Sequence, residues 1–161
     1  MMNIIARKVR QEDAGAVSEL IIHTLRTTNI KDYSEELIEN TAAQFTPEKV
    51  IERAGWTHFY VFCDGERIVG CGAIGPYWGS ETESCLFNIF VHPTCQGKGI
   101  GRKIIETLEA DEFALRASRI EIPASITGCQ FYRKLGYDYK NGIKALDAEQ
   151  HYPLEKFKDP E

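Results

Sequence analysis

Apolar residues along this chain change their period repeatedly, and the changes divide it into helical and extended stretches. "NIIARKV", residues 3–9, alternates as a first strand. From Glu12 and Asp13 the spacing lengthens to three and four, and Ala16, Val17, Leu20, Ile21 and Leu25 predict one inward helix face. "DYSEELIENTAAQF" predicts a second helix, with Ser34 as N-cap and Leu37, Ile38, Ala42 and Phe45 as its apolar stripe. "TPEKVIERAG" predicts a third: Thr46 caps it, Pro47 suits a first helical position that needs no N–H, and Gly55 ends it.

After Gly55 the period shortens to that of strands. "WTHFYVFCDGERIVGCGAIGPY" holds two aromatic and β-branched runs around Asp64-Gly65, a dipeptide that favours a tight hairpin. "ESCLFNIFV" is a third consecutive strand, stopped by Pro93, so the three form an antiparallel meander. The helical period returns at Gly99, with Ile100, Ile104, Ile105 and Leu108 inward and an end expected near Ser118. The strand "RIEIPA" follows. A strand, helix, strand order demands a parallel, right-handed crossover, which sets "ESCLFNIFV" beside "RIEIPA" with the helix packed across both. "SITGCQFYRKLGY" predicts a last helix with Ile126, Phe131 and Leu135 inward and Gly136 as its stop, and "YDYKNG" and "AEQHYPLEKF" close the chain as a strand pair. The expected fold is one α/β (α+β) domain over residues 1–161. Its sheet is mixed, mostly antiparallel and twisted, with about six to seven strands and about four flanking helices.

Composition narrows the function classes. A chain of 161 residues, 43% hydrophobic and 27% charged, has the balance of one globular core. Its net charge of −5 sets up no long-range field toward nucleic acid or an anionic membrane. Its apolar runs fall far short of the roughly 20 residues of a membrane span. "MMNIIARKVRQEDAG" lacks the apolar core of a signal peptide, so cytoplasmic residence is expected. Five cysteines, Cys63, Cys71, Cys85, Cys95 and Cys129, include no C-x-x-C pair, which argues against a disulfide framework and a zinc site. Cys63, Cys71 and Cys85 lie in apolar runs as buried hydrophobes, whereas Cys95, beside a glycine-rich loop, is expected within reach of oxidants.

That loop carries the clearest chemistry. In "VHPTCQGKGIGRKIIETLEA" a strand end leads through Gly97, Gly99 and Gly101 into a helix. Such a turn presents bare backbone N–H groups and the positive end of a helix dipole to an anion, and a pyrophosphate fits it. Lys98, Arg102 and Lys103 are expected as mobile cations at its rim. Two phosphate motifs fail here. A P-loop needs Lys-Ser or Lys-Thr where Gly97 is followed by Arg102 and Lys103. A dinucleotide fingerprint needs a third glycine at Ile104, although Glu121 does lie about twenty residues on.

"QGKGIG", Gln96 to Gly101, fits Q-x-x-G-x-G. With "LFNIFVHP" before it and "FYRKLGY" about thirty residues after, the chain resembles the GNAT superfamily of acetyl-CoA-dependent N-acetyltransferases over nearly its whole length. The resemblance implies that Gln96, Gly97, Lys98, Gly99, Ile100, Gly101 and Arg102 bind the pyrophosphate of coenzyme A. It also implies that the strands ending at Val91 and near Ala124 splay apart around the pantetheine arm, beside Pro123, which has no N–H to give a ladder. A backbone N–H near Phe90 and Val91 would stabilise the oxyanion, and Tyr132 would protonate the departing thiolate. Ser125 stands where many members carry asparagine; its hydroxyl serves the cofactor, an N-cap, or both.

The general base departs from the family pattern, because Cys85 holds the place of the usual strand glutamate. Glu81 and Glu83, acting through water, His92, and ordered water alone are the alternatives; His92 would otherwise bond a loop carbonyl. No metal is implied. The resemblance implies a small-molecule or peptide amine as acceptor, and Asp32, Glu35, Glu36 and Glu39 would suit a cationic one. A homodimer is compatible with the resemblance, and nucleic acid and membrane are not expected as partners. A non-catalytic acetyl-CoA-binding sensor would carry the same loop.

Overall fold

The period-two segments assemble into one seven-stranded sheet in the order β1-β2-β3-β4-β5-β7-β6, in a computed structural model that describes residues 3–158. Strands β1 (Ile4–Lys8), β2 (His58–Asp64), β3 (Arg67–Pro76) and β4 (Glu83–Val91) are successively antiparallel. Strand β5 (Arg119–Ser125) runs parallel to β4, as the crossover requires, and β7 (His151–Phe157) runs antiparallel to β5. Of the closing pair, β6 (Asp138–Tyr139) keeps only two residues, on the outer edge of β7.

Three helices cover one face of the meander: α1 (Ala14–Thr27), α2 (Glu35–Ala42) and α3 (Pro47–Ala54). Val17, Leu20, Ile21, Leu25, Ile38, Ala42 and Val50 pack there against Phe59, Val61, Cys71 and Ala73. Ser34 and Thr46 accept the N–H of Leu37 and Lys49, the cap bonds their positions call for. Ala16 is exposed, contrary to its expected place in the stripe. The inward face takes Ala14, Ser18 and Thr24 instead, because both hydroxyls find carbonyls, those of Phe45 and Leu20.

The other face carries α4 (Ile100–Glu109), whose Ile100, Ile104, Ile105 and Leu108 are all buried. It lies so close to β3 that a Cβ on Gly72 would stand 2.7 Å from Ile104. This helix stops at Ala110 rather than near Ser118, and a short α5 (Glu112–Leu115) follows. Asp111 is the cause. Its carboxylate accepts from the Phe113 amide at 2.8 Å, the Tyr60 hydroxyl at 2.5 Å and the His58 ring at 2.9 Å, which ends one helix and caps the next.

The last helix, α6 (Cys129–Lys134), corrects a second expectation. Cys129 and Tyr132 point inward, Phe131 is 37% exposed and lies over Gly101, and Ile126 falls in the turn before the helix. Neighbours on a helix diverge by about 100°, so only one member of the Phe131-Tyr132 pair can enter the core. All five cysteines are free and buried, Cys95 included at 1% exposure, so the loop beside it does not bring its thiol to the surface.

Candidate active site

Strands β4 and β5 are paired over three positions only, Glu83–Arg119, Ser84–Ile120 and Cys85–Glu121, and then part. Two irregularities hold them apart. Between its pairings with Cys71 and Ala73, β4 spends one residue more than β3, and Asn88 takes a left-handed φ of 54° in this bulge. Its side chain accepts from Arg53 Nη1 at 2.7 Å, and its carbonyl accepts from the Cys71 thiol at 3.2 Å. On β5, Pro123 lies opposite Pro153 of β7. Neither residue has an N–H, so this is a non-hydrogen-bonded pair, and the nitrogen of Pro123 faces the opening. His92 donates its amide to Val69 of β3. Strand alternation therefore turns the Phe90 amide toward β3 and those of Ile89 and Val91 toward the opening, so of the two residues expected to offer an oxyanion donor only Val91 presents its amide there.

At the closed end of this V, Arg119 binds three strands together. Its guanidinium donates to Glu83 of β4 at 2.8 Å, to Glu155 of β7 at 2.7 Å and to Glu121 of its own strand. Lys140 adds a contact to Glu121 at 2.9 Å and a hydrogen bond to the Tyr77 hydroxyl at 3.0 Å, and the Tyr77 ring lies 5.2 Å from the guanidinium. Burial opposes the charge on Arg119, but its carboxylate partners outweigh that and hold its pKa above the ordinary arginine value. Glu83 is thus engaged in a clamp, and Glu81 lies in the turn before β4. Both sit at the amino end of β4, eight residues from Val91 for Glu83, or roughly 26 Å along a strand.

The carboxyl end of the V opens onto the glycine loop. Gly97 and Gly99 adopt φ of 76° and 82°, a region that other residues enter only at a cost, and a Cβ on either would meet nothing within 4 Å. The space above them is therefore open to a ligand. The amides of Gly99, Ile100, Gly101 and Arg102 donate to no carbonyl among the described residues, the condition for an anion-binding helix start. The Ile100 side chain is buried, so only its backbone faces the nest. Gly101 has a different task from the other two, since a Cβ there would stand 2.9 Å from the Phe131 ring. Lys98 and Arg102 are exposed at the rim, but Lys103 is not available there, because its ammonium donates to the Ile4 carbonyl and ties α4 to β1. Gln96 donates through its side chain to Val91 O at 3.3 Å and to the Thr28 hydroxyl at 3.2 Å. His92 accepts from the Thr94 amide rather than bonding a loop carbonyl; burial and the nearby Arg67 lower its pKa.

Tyr132 is buried, with its ring against Gly128, and its hydroxyl has no hydrogen-bond partner among the described residues. Burial, and secondarily Cys71, push its pKa above the ordinary tyrosine value, so it stays a proton donor at neutral pH. Ser125 accepts the Gly128 amide at 3.0 Å and so closes the turn before α6; it is not the N-cap expected of it, because the helix begins at Cys129 with Gly128 in that place. Cys85 points to the face shared with Phe87, and burial raises its thiol pKa to about 12, out of range of base catalysis at neutral pH. The connection after α1 spans the opening. Tyr33 donates to Gln150 O at 2.9 Å and accepts the Ile126 amide at 2.8 Å, while Asp32 accepts from Thr127. Of the acidic group expected to face an acceptor, Glu39 is paired with Arg26, and Glu35 and Glu36 remain exposed.

Sequence reasoning missed Asn88, Tyr33 and the Arg119 clamp. Asn88 left a trace as the one polar residue within "LFNIFV" and a type that tolerates positive φ. Among the described residues no three His, Cys, Asp or Glu side chains gather as a metal site, and no helix is long and apolar enough to cross a membrane.

A search of curated proteins by sequence finds no match. Solved structures match over the whole fold. PaiA N-acetyltransferase from Thermoplasma acidophilum, in complex with coenzyme A, aligns with a TM-score of 0.83 at 19% identity, covering 98% of this chain and 100% of that one. A GNAT family acetyltransferase from Brucella melitensis, in complex with acetyl-CoA, aligns at 0.67 and 19% identity, covering 99% and 91%. The family model for the acetyltransferase (GNAT) domain matches residues 55–139, which run from the start of the meander through the splayed strands and the glycine nest to α6 and β6. With more than half of its length under that match, the chain belongs to the GNAT acetyltransferase family.

Proposed function

We propose that the protein transfers the acetyl group of acetyl-CoA to a primary amine by direct attack of the amine on the thioester. The observation that carries this reading is the V between β4 and β5, whose carboxyl end leads onto bare amides at the start of α4. The nest at Gly97–Arg102 holds the pyrophosphate, and the amides of Ile89 and Val91 offer the pantetheine arm a strand edge to bond. A pantetheine laid along that edge brings its thioester toward the closed end of the V. There a β4 amide stabilises the oxyanion, and Tyr132 gives its proton to the thiolate as the C–S bond breaks. The acceptor is a small-molecule or peptide amine, reaching the thioester from the face of Cys85 and Phe87.

The test uses four amines, 1,4-diaminobutane, glucosamine, lysine amide and a short peptide with a free N-terminus, each with acetyl-CoA. Release of free thiol together with the acetylated amine by mass spectrometry supports the reading. Coenzyme A at about 100 times its Kd should add about 2.7 kcal/mol to stability, or roughly 5–10 °C in Tm, while NAD adds nothing. Stabilisation by NAD and none by coenzyme A would overturn the assignment. Tight binding of coenzyme A with no transfer to any amine would identify a sensor instead.

A further inference from the structure

The acetyltransferase reading leaves the acceptor amine without a protein group to receive it, because Cys85 stands where a carboxylate would serve. Resting on that reading, we propose that Glu121, on the neighbouring strand, takes this part: its outer carboxylate oxygen accepts a hydrogen bond from the amine and stabilises the positive charge that grows on nitrogen during attack.

Position is the first support. Glu121 is the parallel partner of Cys85, in the last pair before the strands part. Ile120, Ile122 and Ala124 belong to the core under α4, so strand alternation points Glu121 to the opposite face, where Cys85 and Phe87 point. A carboxylate is thereby shifted sideways by one strand, about 4.8 Å, from the position that Cys85 occupies. The second support is the asymmetry of its bonding. Arg119 and Lys140 both contact Oε1, and Oε2 has no partner among the described residues. Oε2 is not sealed off either: among the described residues, the buried side-chain atoms without a partner are the Tyr139 hydroxyl and His151 Nδ1. One oxygen is thus fixed by two cations and the other is left for a ligand, on a side chain that is only 12% exposed.

Charge is the third. Around this point Glu83, Glu121 and Glu155 face Arg119 and Lys140, three carboxylates against two cations, with one negative charge left over beside Cys85. Glu155 has both oxygens engaged, by Arg119 and by the Asn141 amide. Glu83 bonds Arg119 through one oxygen and keeps the other free among the described residues, but it stands two residues before Cys85, farther from the point where the strands part.

The step balances as follows. The amine enters neutral, its extra proton already lost to water, with one N–H on Oε2. Its lone pair forms the N–C bond as the carbonyl becomes an oxyanion; the C–S bond then breaks and the thiolate takes the proton of Tyr132. The surplus proton on nitrogen leaves through a water on Oε2 to solvent, and solvent returns one to Tyr132.

The experiment measures kcat, acceptor KM and acetyl-CoA affinity for Glu121→Gln, Glu155→Gln and Glu121→Gln/Cys85→Glu, with whichever of the four amines above the wild type turns over fastest. Glu121→Gln should lower kcat by roughly 10²-fold or more, with acetyl-CoA affinity nearly unchanged. Glu155→Gln loosens the same clamp without touching the acceptor and should keep most of kcat. Adding Cys85→Glu to Glu121→Gln should restore roughly tenfold or more, a recovery that a purely structural role does not predict. Should Glu121→Gln fail to fold, Glu121→Asp keeps the charge and withdraws the outer oxygen by one methylene, and the same loss and rescue are read from it. Equal losses in Glu121→Gln and Glu155→Gln without rescue, in an active wild type, overturn this inference alone. A wild type that acetylates no amine overturns the transferase reading as well.

Discussion

Replacing Tyr132 with phenylalanine separates chemistry from folding more cleanly than any other single change in this protein. The ring stays in place against Gly128, and only a hydroxyl with no hydrogen-bond partner among the described residues is lost. The stability change should therefore lie within about 0.5 kcal/mol, or roughly 1–2 °C in Tm for a chain of this size. If that hydroxyl protonates the thiolate, turnover should fall by roughly 10²- to 10⁴-fold, the usual share of a general acid. Tyr137 gives the opposite pattern. It is 1% exposed, and its hydroxyl donates to the Glu109 carboxylate at 2.9 Å. Tyr137→Phe loses a bond to a charged group, about 1.5 kcal/mol or more, so Tm should drop roughly 3–6 °C with kcat nearly intact. Burial raises the Tyr132 pKa, so in the wild type its proton is still in place up to at least about pH 10, and a fall in turnover below that pH has another origin. Differential scanning calorimetry and steady-state kinetics on both variants make the comparison. Wild-type turnover in Tyr132→Phe, with acetylated product confirmed, would remove this residue from the mechanism and leave solvent as the donor.

The nest and the Asp111 hub give two further expectations. Gly99→Ala forces an L side chain into φ of 82° at a cost of roughly 1–2 kcal/mol and places a methyl in the open space above the nest, so coenzyme A affinity should fall at least about tenfold. Gly101→Ala only pushes aside the half-exposed Phe131 ring, and isothermal titration should find its affinity within about threefold of wild type; the reverse ranking would mean the anion lies elsewhere. Asp111→Asn should cost about 2–4 kcal/mol at pH 7, through weaker bonds to Tyr60, His58 and the Phe113 amide. Burial disfavours the Asp111 carboxylate, but those bonds prevail and lower its folded pKa, so its stabilisation is complete above about pH 4 and fades as pH falls further. Urea titrations should then show the gap between wild type and variant closing below pH 4, and a gap constant with pH would contradict this account.

Much of this architecture was legible in the residues, because periodicity and punctuation are local signals. Ser34, Thr46 and Asp64-Gly65 mark their turns by chemistry that needs no tertiary context. The parallel placement of β4 and β5 followed from element order alone. What stayed hidden depends on partners distant in sequence. The end of α4 at Ala110 is fixed by His58 and Tyr60, some fifty residues before Asp111. Phe131 turned out of the core because Gly101, thirty residues earlier, offers it a seat. The engagement of Glu83 became visible only when Arg119 arrived from the next strand in register, and Lys103 left the rim for a carbonyl of β1. In the active site the split is the same: the nest could be read from its glycines, whereas the carboxylate beside Cys85 comes from pairing.

The V has a consequence for the protein's solubility. Where β4 and β5 part, the sheet has two interior edges with unmatched backbone groups, and such edges template the addition of foreign strands. Here neither edge is a good template. The bulge at Asn88 breaks the spacing of one, and Pro123 removes a donor from the other. The irregularities that keep the strands apart thus also work against strand-swapped dimers and cross-β aggregates.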